Sequence, residues 1–535
     1  MRRLLPRLRT SICFFFLIFK LLGSAVDVQC EHAALVANPA PAENDYYGMA
    51  LATLTLEDSY FLFVGADGVF NGTGTVHAFQ KATTDSDWEF YQSLSCINCG
   101  EDEYFGASIA TDGNEIVAVG ATQHLLSGAV LVFSWNETAS SWFSNTTLAA
   151  QDGEQNDKFS HSVSFSGTSR IVVGAYGDDS LGEDAGAAYI FTFLGLEGWT
   201  LEAKLQAPDG TKGALFGHSI VGLGPDIIIV GAHGDDTMGY YAGCVYAFLY
   251  SEQSHSWNID EKIVFDHSNR GDAFGQIVIS LASSQFVAGA SGHKDHDNRV
   301  VGAAYVVTRV SVQNSSYWTI TAQLDNPDED MHGGFAHDLT SVGGYALLAY
   351  APTADYEDID GSFFESAGAL YTFHQNPYSL DWEYGTVLYS PTPYFEDYFG
   401  KSTAAIILGH SKVKTTTALA VGTPYKQFEN GQRFGQVYGI ECSFEFELTN
   451  TSQNASIIET LGATEVPAML IGDQAVVSTS ASFGFVIGFL LLLHPAMIML
   501  YQSSGLLKKP AAGGPPAPGP DRGAPPPPGH AAGPV

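Results

Sequence analysis

Basic residues are scarce. Only 23 lysines and arginines stand against 58 aspartates and glutamates in 535 residues, leaving a formal charge of −35. No basic stripe exists to neutralise phosphates, so nucleic acid is excluded as a partner. Acidity of this size keeps an extracellular protein soluble and makes cations or basic ligands the natural candidates. Cysteine is also scarce, with six in the chain. Removal of Cys13 with the N-terminal leader leaves an odd number, so at least one stays free or pairs between chains. No nucleophile motif is present, and acidic residues are so common that no carboxylate pair stands out as an acid and its base. The chain reads as a non-enzyme.

What is present begins with a leader. Arg2, Arg3, Arg7 and Arg9 precede an apolar run from Ile12 to Leu22 and the small residues Gly23-Ser24-Ala25, so residues 1–25 read as a secretory signal. Sequons at Asn71, Asn136, Asn145, Asn314, Asn450 and Asn454 fit a luminal or extracellular fate. Residues 475–501 carry no charge and precede Lys508 and Lys509, the pattern of a single span with a cytosolic C-terminus. His494-Pro495 predicts a kink in it. The expected localisation is therefore a single-pass type I membrane protein of the plasma membrane. Residues 448–474 form a glycosylated stalk, and 502–535 a Pro/Gly-rich cytoplasmic tail whose Pro525-Pro526-Pro527-Pro528 suits a proline-rich-motif adaptor.

Glycine is abundant, with 57 residues, and aromatics make up 12% of the chain. Both fit short strands joined by tight turns. An aromatic followed by a small residue recurs seven times: Tyr47-Gly48, Phe105-Gly106, Phe159-Ser160, Phe216-Gly217, Phe274-Gly275, Phe335-Ala336 and Phe399-Gly400. The spacings are 58, 54, 57, 58, 61 and 64 residues. Each copy is followed by an apolar run ending in small residues, as in Val173-Gly174-Ala175, then by a third run such as Gly186 to Phe191, and in six periods by a tryptophan opening a fourth. Four short strands per period predict an all-β, seven-bladed β-propeller over residues 26–447. The seventh period lacks its tryptophan strand. Residues 31–38 resemble the end of a fourth strand and are expected to pair with Val437 to Cys442, closing the ring. That alignment predicts a Cys30–Cys442 disulfide, a local Cys96–Cys99 bridge and a free Cys244.

These seven units resemble the FG-GAP repeats of integrin alpha chain heads, over roughly residues 31 to 445. The resemblance implies a cell-surface adhesion or receptor head that binds an extracellular protein or glycan. Integrin-type repeats usually carry a calcium loop between the first and second strands. Here those hairpins read Thr111-Asp112-Gly113-Asn114, Ser166-Gly167-Thr168-Ser169 and Gly222-Leu223-Gly224-Pro225, too poor in oxygen ligands. Inserted and leg domains are absent, and Gly505 to Lys509 only loosely echoes the element that follows an integrin span, which argues against an integrin beta-type partner. The repeats look more like stand-alone FG-GAP surface proteins.

Acidic residues concentrate after the Gly-Ala pairs, at Asp178, Asp179, Asp184, Asp235, Asp236, Asp295, Asp297, Asp358 and Asp360. Strand alternation places these loops on one end of the ring, where they are candidates for weak calcium binding or for a basic ligand. Gly-Asp-Asp also simply makes good turns. His161, His218 and His337 each follow a motif aromatic by two places and are expected near the axis, either as a metal site or as plain channel lining. A glycan-active enzyme or a structural surface component are the alternative functions.

Overall fold

Each apolar run that ends in a small pair forms the second strand of a four-stranded antiparallel sheet. In blade three the strands are Ser162–Ser166, Arg170–Ala175, Ala187–Phe193 and Trp199–Leu205, hydrogen-bonded in that order. The computed structural model describes residues 26–446 apart from 58, 266–269, 313–314, 329–333, 358–360, 377–378, 411–413 and 427–431. The described residues form seven such sheets, plus a small hairpin pairing Tyr356–Glu357 with Phe363–Phe364. Among them no helix is long and apolar enough to cross a membrane. The leader, the stalk with Asn450 and Asn454, the apolar segment 475–501 and the tail lie outside the described residues.

A single sheet of this kind is apolar on both faces, so it is stable only between neighbours. The core is accordingly divided into layers, each shared by two adjacent blades. Leu54, Phe61 and Phe63 of blade one pack with Phe105, Val119 and Trp142 of blade two. Val172 and Ile190 of blade three pack with Phe216, Val230 and Tyr246 of blade four. The last layer joins Val36, Ala420 and Val437 to Tyr47, Val64 and Phe79, so blade seven meets blade one. Trp142 shows what the fourth-strand tryptophan does: it packs edge-on against Phe63 of the preceding blade, with ring centroids 5.4 Å apart.

The aromatic-small motif stitches the blades through the backbone. Phe216 N–H donates to Ala185 O of blade three at 3.1 Å, while Gly217 N–H donates to Gly231 O of its own blade at 3.0 Å. Two glycines permit this approach. Gly186, at φ +87°, would place a Cβ 2.1 Å from Phe216 O, and a Cβ on Gly174 would lie 1.9 Å from Gly217 O. Only glycine fits either place. The same stitch recurs around the ring, ending with Gly422 and Gly435 against Gly48 and Tyr47.

Closure uses the N-terminal strand, though not over the span 31–38. The strand runs Val26–Val36 and pairs with Gln436–Phe446 in a register from Val26 opposite Phe446 to Val36 opposite Val437, with a bulge between Glu31 and Ala33. It ends earlier than expected because Asn38 is drawn into a turn, its Nδ2 donating to Asp45 Oδ2 at 2.7 Å. Asp45 is fully buried and fastens the seam: its Oδ1 accepts Tyr47 N–H at 3.1 Å and Gly435 N–H at 3.2 Å. The register sets Cys30 opposite Cys442, and the two are disulfide-bonded, as are Cys96 and Cys99. Cys244 is a buried free thiol.

Two outcomes follow for stability. Peptide mapping of the unreduced protein will recover Cys30 joined to Cys442, and the Cys30→Ser/Cys442→Ser chain will unfold with about 4 to 5 kcal/mol less stability in urea titration. Gly186→Ala will cost about 3 kcal/mol or more, because the new methyl group meets a carbonyl that cannot move without opening the seam.

Candidate functional site

Antiparallel order places the second-to-third-strand loops and the connections between blades at one end of the ring, and the remaining hairpins at the other. Backbone bonds tie each loop to the neighbouring connection: Gly213 N–H donates to Glu183 O at 2.8 Å, and Gly271 N–H to Tyr240 O at 2.9 Å. This loop end holds the acidic residues singled out in the sequence, and the structure divides them into two groups.

Asp178 and Asp235 are buried and committed to lysines. Lys204 Nζ, from the fourth strand of blade three, donates to Asp178 Oδ2 and Asp152 Oδ2 at 2.7 Å each and to Ser180 Oγ at 2.8 Å. Lys262 repeats the arrangement one blade on, with Asp209 at 2.7 Å, Asp235 at 2.9 Å and Thr237 Oγ1 at 2.7 Å. Tyr189 lies beneath the first lysine and donates its hydroxyl to Asp178 Oδ2 at 2.9 Å. Burial is the largest single influence on the carboxyls of Asp152, Asp178 and Asp209 and pushes them up, but the hydrogen bonds from lysine, tyrosine and neighbouring groups together with the lysine charge outweigh it, and all three sit below the usual range. Burial likewise favours neutral Lys204 and Lys262, and the carboxylates reverse that as well. These are clamps between a loop and a connection. As free ligand groups, Asp178 and Asp235 are replaced by their neighbours: Asp179, Asp184, Asp236 and Asp297 are exposed. Asp295 is turned toward Arg299, and Asp358 and Asp360 lie outside the described residues.

A second repeated pairing was not foreseen. In blades two, five and seven, the third residue after the small pair is a base, and it meets an acid two places before the motif aromatic. His124 faces Glu103 at 2.6 Å, His293 faces Asp272 at 3.6 Å, and Lys426 contacts fully buried Asp397 at 2.5 Å. In blades three and four that loop position is Asp178 and Asp235. A comparison of this one column across the repeats would have exposed the pattern.

The histidines do gather. The His161 and His218 rings are 4.6 Å apart, and His233, not singled out by the motif, lies 4.3 Å from His218. His218 Nδ1 bonds to Gln276 O at 3.1 Å. Burial and the other cations push these imidazoles down: His161 and His233 to about 3, with Lys401 and His218 adding to the effect on His161, and His337 to about 4. They are neutral at pH 7. Their ligand atoms do not converge: among the described residues, only Cys96, Cys99 and His124, and Asp295, His296 and Asp297, bring three such atoms within 4.8 Å of one another.

Part of the carboxylate oxygen at this end and in the hairpins is already spent within turns. Asp112, the acidic residue of its hairpin, spends Oδ1 on the N–H groups of Asn114, Glu115 and Ile116. In the loops, Asp179 Oδ1 accepts Asp184 N–H at 2.8 Å and Asp236 Oδ1 accepts Tyr241 N–H at 2.7 Å, leaving roughly one outward oxygen each where calcium takes six to eight. Around them, every such loop from blade one to blade six carries an exposed apolar side chain: Phe70, Leu126, Leu181, Tyr240, Val300 and Phe363. Of the sequons, Asn71 is exposed in the blade-one loop, Asn136 ends the third strand of blade two at the opposite end, and Asn145 lies in an outer strand; Asn314 lies outside the described residues.

The FG-GAP repeat model matches residues 142–191 and 199–248. Each match starts in the fourth strand of one blade and ends in the third strand of the next, so the sequence repeat is offset from the blade by one strand. No curated protein matches the chain. Solved structures to which the chain shows similarity include a periplasmic gluconolactonase from Pseudomonas aeruginosa, with 13% identity, a TM-score of 0.41 and coverage of 64% of this chain and 86% of that one. Sqt1 from Saccharomyces cerevisiae has 10% identity, a TM-score of 0.40 and coverage of 76% and 98%.

The clamps predict that Lys204→Met or Lys262→Met, each stranding a buried aspartate, will lower stability by about 3 kcal/mol in chemical denaturation. The histidines predict a pH effect. Unfolded imidazoles take up protons as pH falls through 6.5, whereas His161 and His233 hold out until about 3, so their contribution is whole above 6.5 and drains away toward 3. Asp157 and Asp338, raised to about 6 by burial, act oppositely: their contribution is whole below 3.8 and is lost as pH rises through 6. Those carboxylates are common to parent and variant. The fall in urea midpoint from pH 7 to pH 5 will therefore be smaller in His161→Gln/His233→Gln than in the parent.

Proposed function

We propose that this chain, which is an FG-GAP-repeat β-propeller protein, is a non-catalytic cell-surface adhesion or receptor head that docks a basic extracellular protein on its loop end. One observation carries the reading: exposed carboxylates that no lysine or arginine of the chain neutralises, Asp179, Asp184 and Asp236, share their loop tips with the exposed apolar side chains Leu181 and Tyr240. Anionic groups steer a basic partner and fix its register, while apolar tips supply the contact energy. Calcium is not required for this, since the free oxygens are dispersed. The clamps below the tips hold the surface in its binding shape before the partner arrives, which lowers the entropy cost of docking.

The remaining sequence features fit a type I membrane protein: a leader, sequons, an uncharged 27-residue stretch over 475–501 and lysines after it. The proline-rich tail would then meet an adaptor in the cytosol.

Full-length chain probed against arrays of extracellular proteins and glycans will select basic proteins. Asp179→Asn/Asp236→Asn will weaken the selected interaction by about threefold to tenfold, mainly through slower association, and raised salt will mimic the change. Asp112→Asn at the opposite end will leave affinity unchanged. Selection of neutral glycans, or sensitivity to Asp112 instead, would put the site elsewhere and overturn the reading.

A further inference from the structure

Blade two differs from its neighbours where the connection from blade one meets its second-to-third-strand loop. Cys96 and Cys99 lie on the connection and His124 lies in the loop, each offering a ligand atom within 4.8 Å of the other two. The cluster is sheltered: His124 and Cys96 are buried and Cys99 is half-buried. His124 Nδ1 is 2.6 Å from Glu103 Oε2, and Glu103 Oε2 also accepts Gly100 N–H at 2.8 Å. With the proton on Nδ1, the carboxylate holds the ring in one orientation and Nε2 presents its lone pair. A carboxylate behind a histidine in this way is the support that metal-ligating imidazoles use. His293 and Asp272 occupy the same two positions in blade five at the longer distance of 3.6 Å, so the acid-base placement belongs to the repeat, and the short hydrogen bond and the two sulfurs are what blade two adds.

In the structure the sulfurs are bonded to each other, and in that form neither is a thiolate ligand. We propose that the disulfide is the closed state of a metal site: once reduced, Cys96 and Cys99 together with His124 bind one zinc-like divalent cation, and oxidation shuts the site. Reduction by a dithiol breaks the Sγ–Sγ bond. Two electrons and two protons pass to the cysteines, and the reductant leaves as its own disulfide. On binding the cation the two thiols release their protons to solvent. Two thiolates and a neutral imidazole suit zinc and do not suit calcium or magnesium, which take oxygen. Three protein ligands leave the fourth position to solvent.

The test uses purified full-length chain, treated with dithiothreitol, freed of it without air, and titrated with Co²⁺ as a coloured stand-in for zinc. Reduced parent will bind one equivalent with the visible bands of tetrahedral cobalt and sulfur-to-metal charge transfer, both bleached by Zn²⁺, and unreduced parent will show neither. Cys96→Ser/Cys99→Ser, which keeps the Cys30–Cys442 bridge and Cys244, will lose the bands. His124→Gln will lose them or change their shape. Glu103→Gln will keep the spectrum but bind about 10- to 100-fold more weakly. The proposal is overturned if reduced parent, with its thiols shown to be free, gives no bands, if the double variant binds as tightly as the parent, or if His124→Gln leaves spectrum and affinity unchanged.

Discussion

The ring depends on the backbone seam between blades. A propeller blade cannot be stable alone, and side-chain packing between blades is tolerant of sliding, as hydrophobic contact is not directional. The seam removes that freedom. Six of the motif aromatics, from Phe105 to Phe399, give their N–H to the preceding blade, and in five blades the next residue gives its N–H to its own second strand, so a single dipeptide sets the distance and the register between two sheets. The contact is so close that a Cβ on either glycine facing it would overlap a carbonyl oxygen. At the join between first and last blades the carboxylate of Asp45 takes the place of one backbone acceptor, and the Cys30–Cys442 bond holds the borrowed strand beside it.

Above the seam, charge is sorted by burial. Five sheltered carboxylates beside the connections, Glu103, Asp178, Asp235, Asp272 and Asp397, each face a lysine or a histidine of their own blade, whereas buried Asp157 accepts a backbone N–H and is pushed up by burial. Next to Asp178 and Asp235 in the chain, Asp179 and Asp236 keep contact with water. Asp178 and Asp179 are adjacent in the chain and opposite in role: the first accepts from Lys204, the second closes its own turn and faces solvent. The loop end is thus rigid at its base and anionic and apolar at its tips. An anionic surface held in place in this way discriminates among partners more than it adds raw affinity.

Much of this was legible along the chain because repetition makes weak signals add. One aromatic-glycine pair means little, but seven at a near-constant spacing, each followed by an apolar run and a small pair, admit few architectures other than a closed ring of four-stranded blades. The missing seventh tryptophan told how the ring closes, and the position of Cys30 in the borrowed strand told which cysteine it meets. These are properties of order and period, and a one-dimensional string carries them fully.

Which of two adjacent aspartates is a clamp and which is free could not be read that way. The answer depends on Lys204 and Lys262 reaching back 26 and 27 residues to them, and on Asp152 and Asp209 arriving from the preceding connection. Likewise the imidazole cluster gained His233 from the turn after a second strand, and Cys96 and Cys99 acquired His124 from a different loop. Sequence determined the blades, their number and the closing strand, because hydrophobic period and glycine placement act locally and repeat. Only the tertiary structure decided the partners of each charged or ligating group, because burial and Coulomb attraction depend on distance through space, and the ring brings together residues that the chain keeps apart.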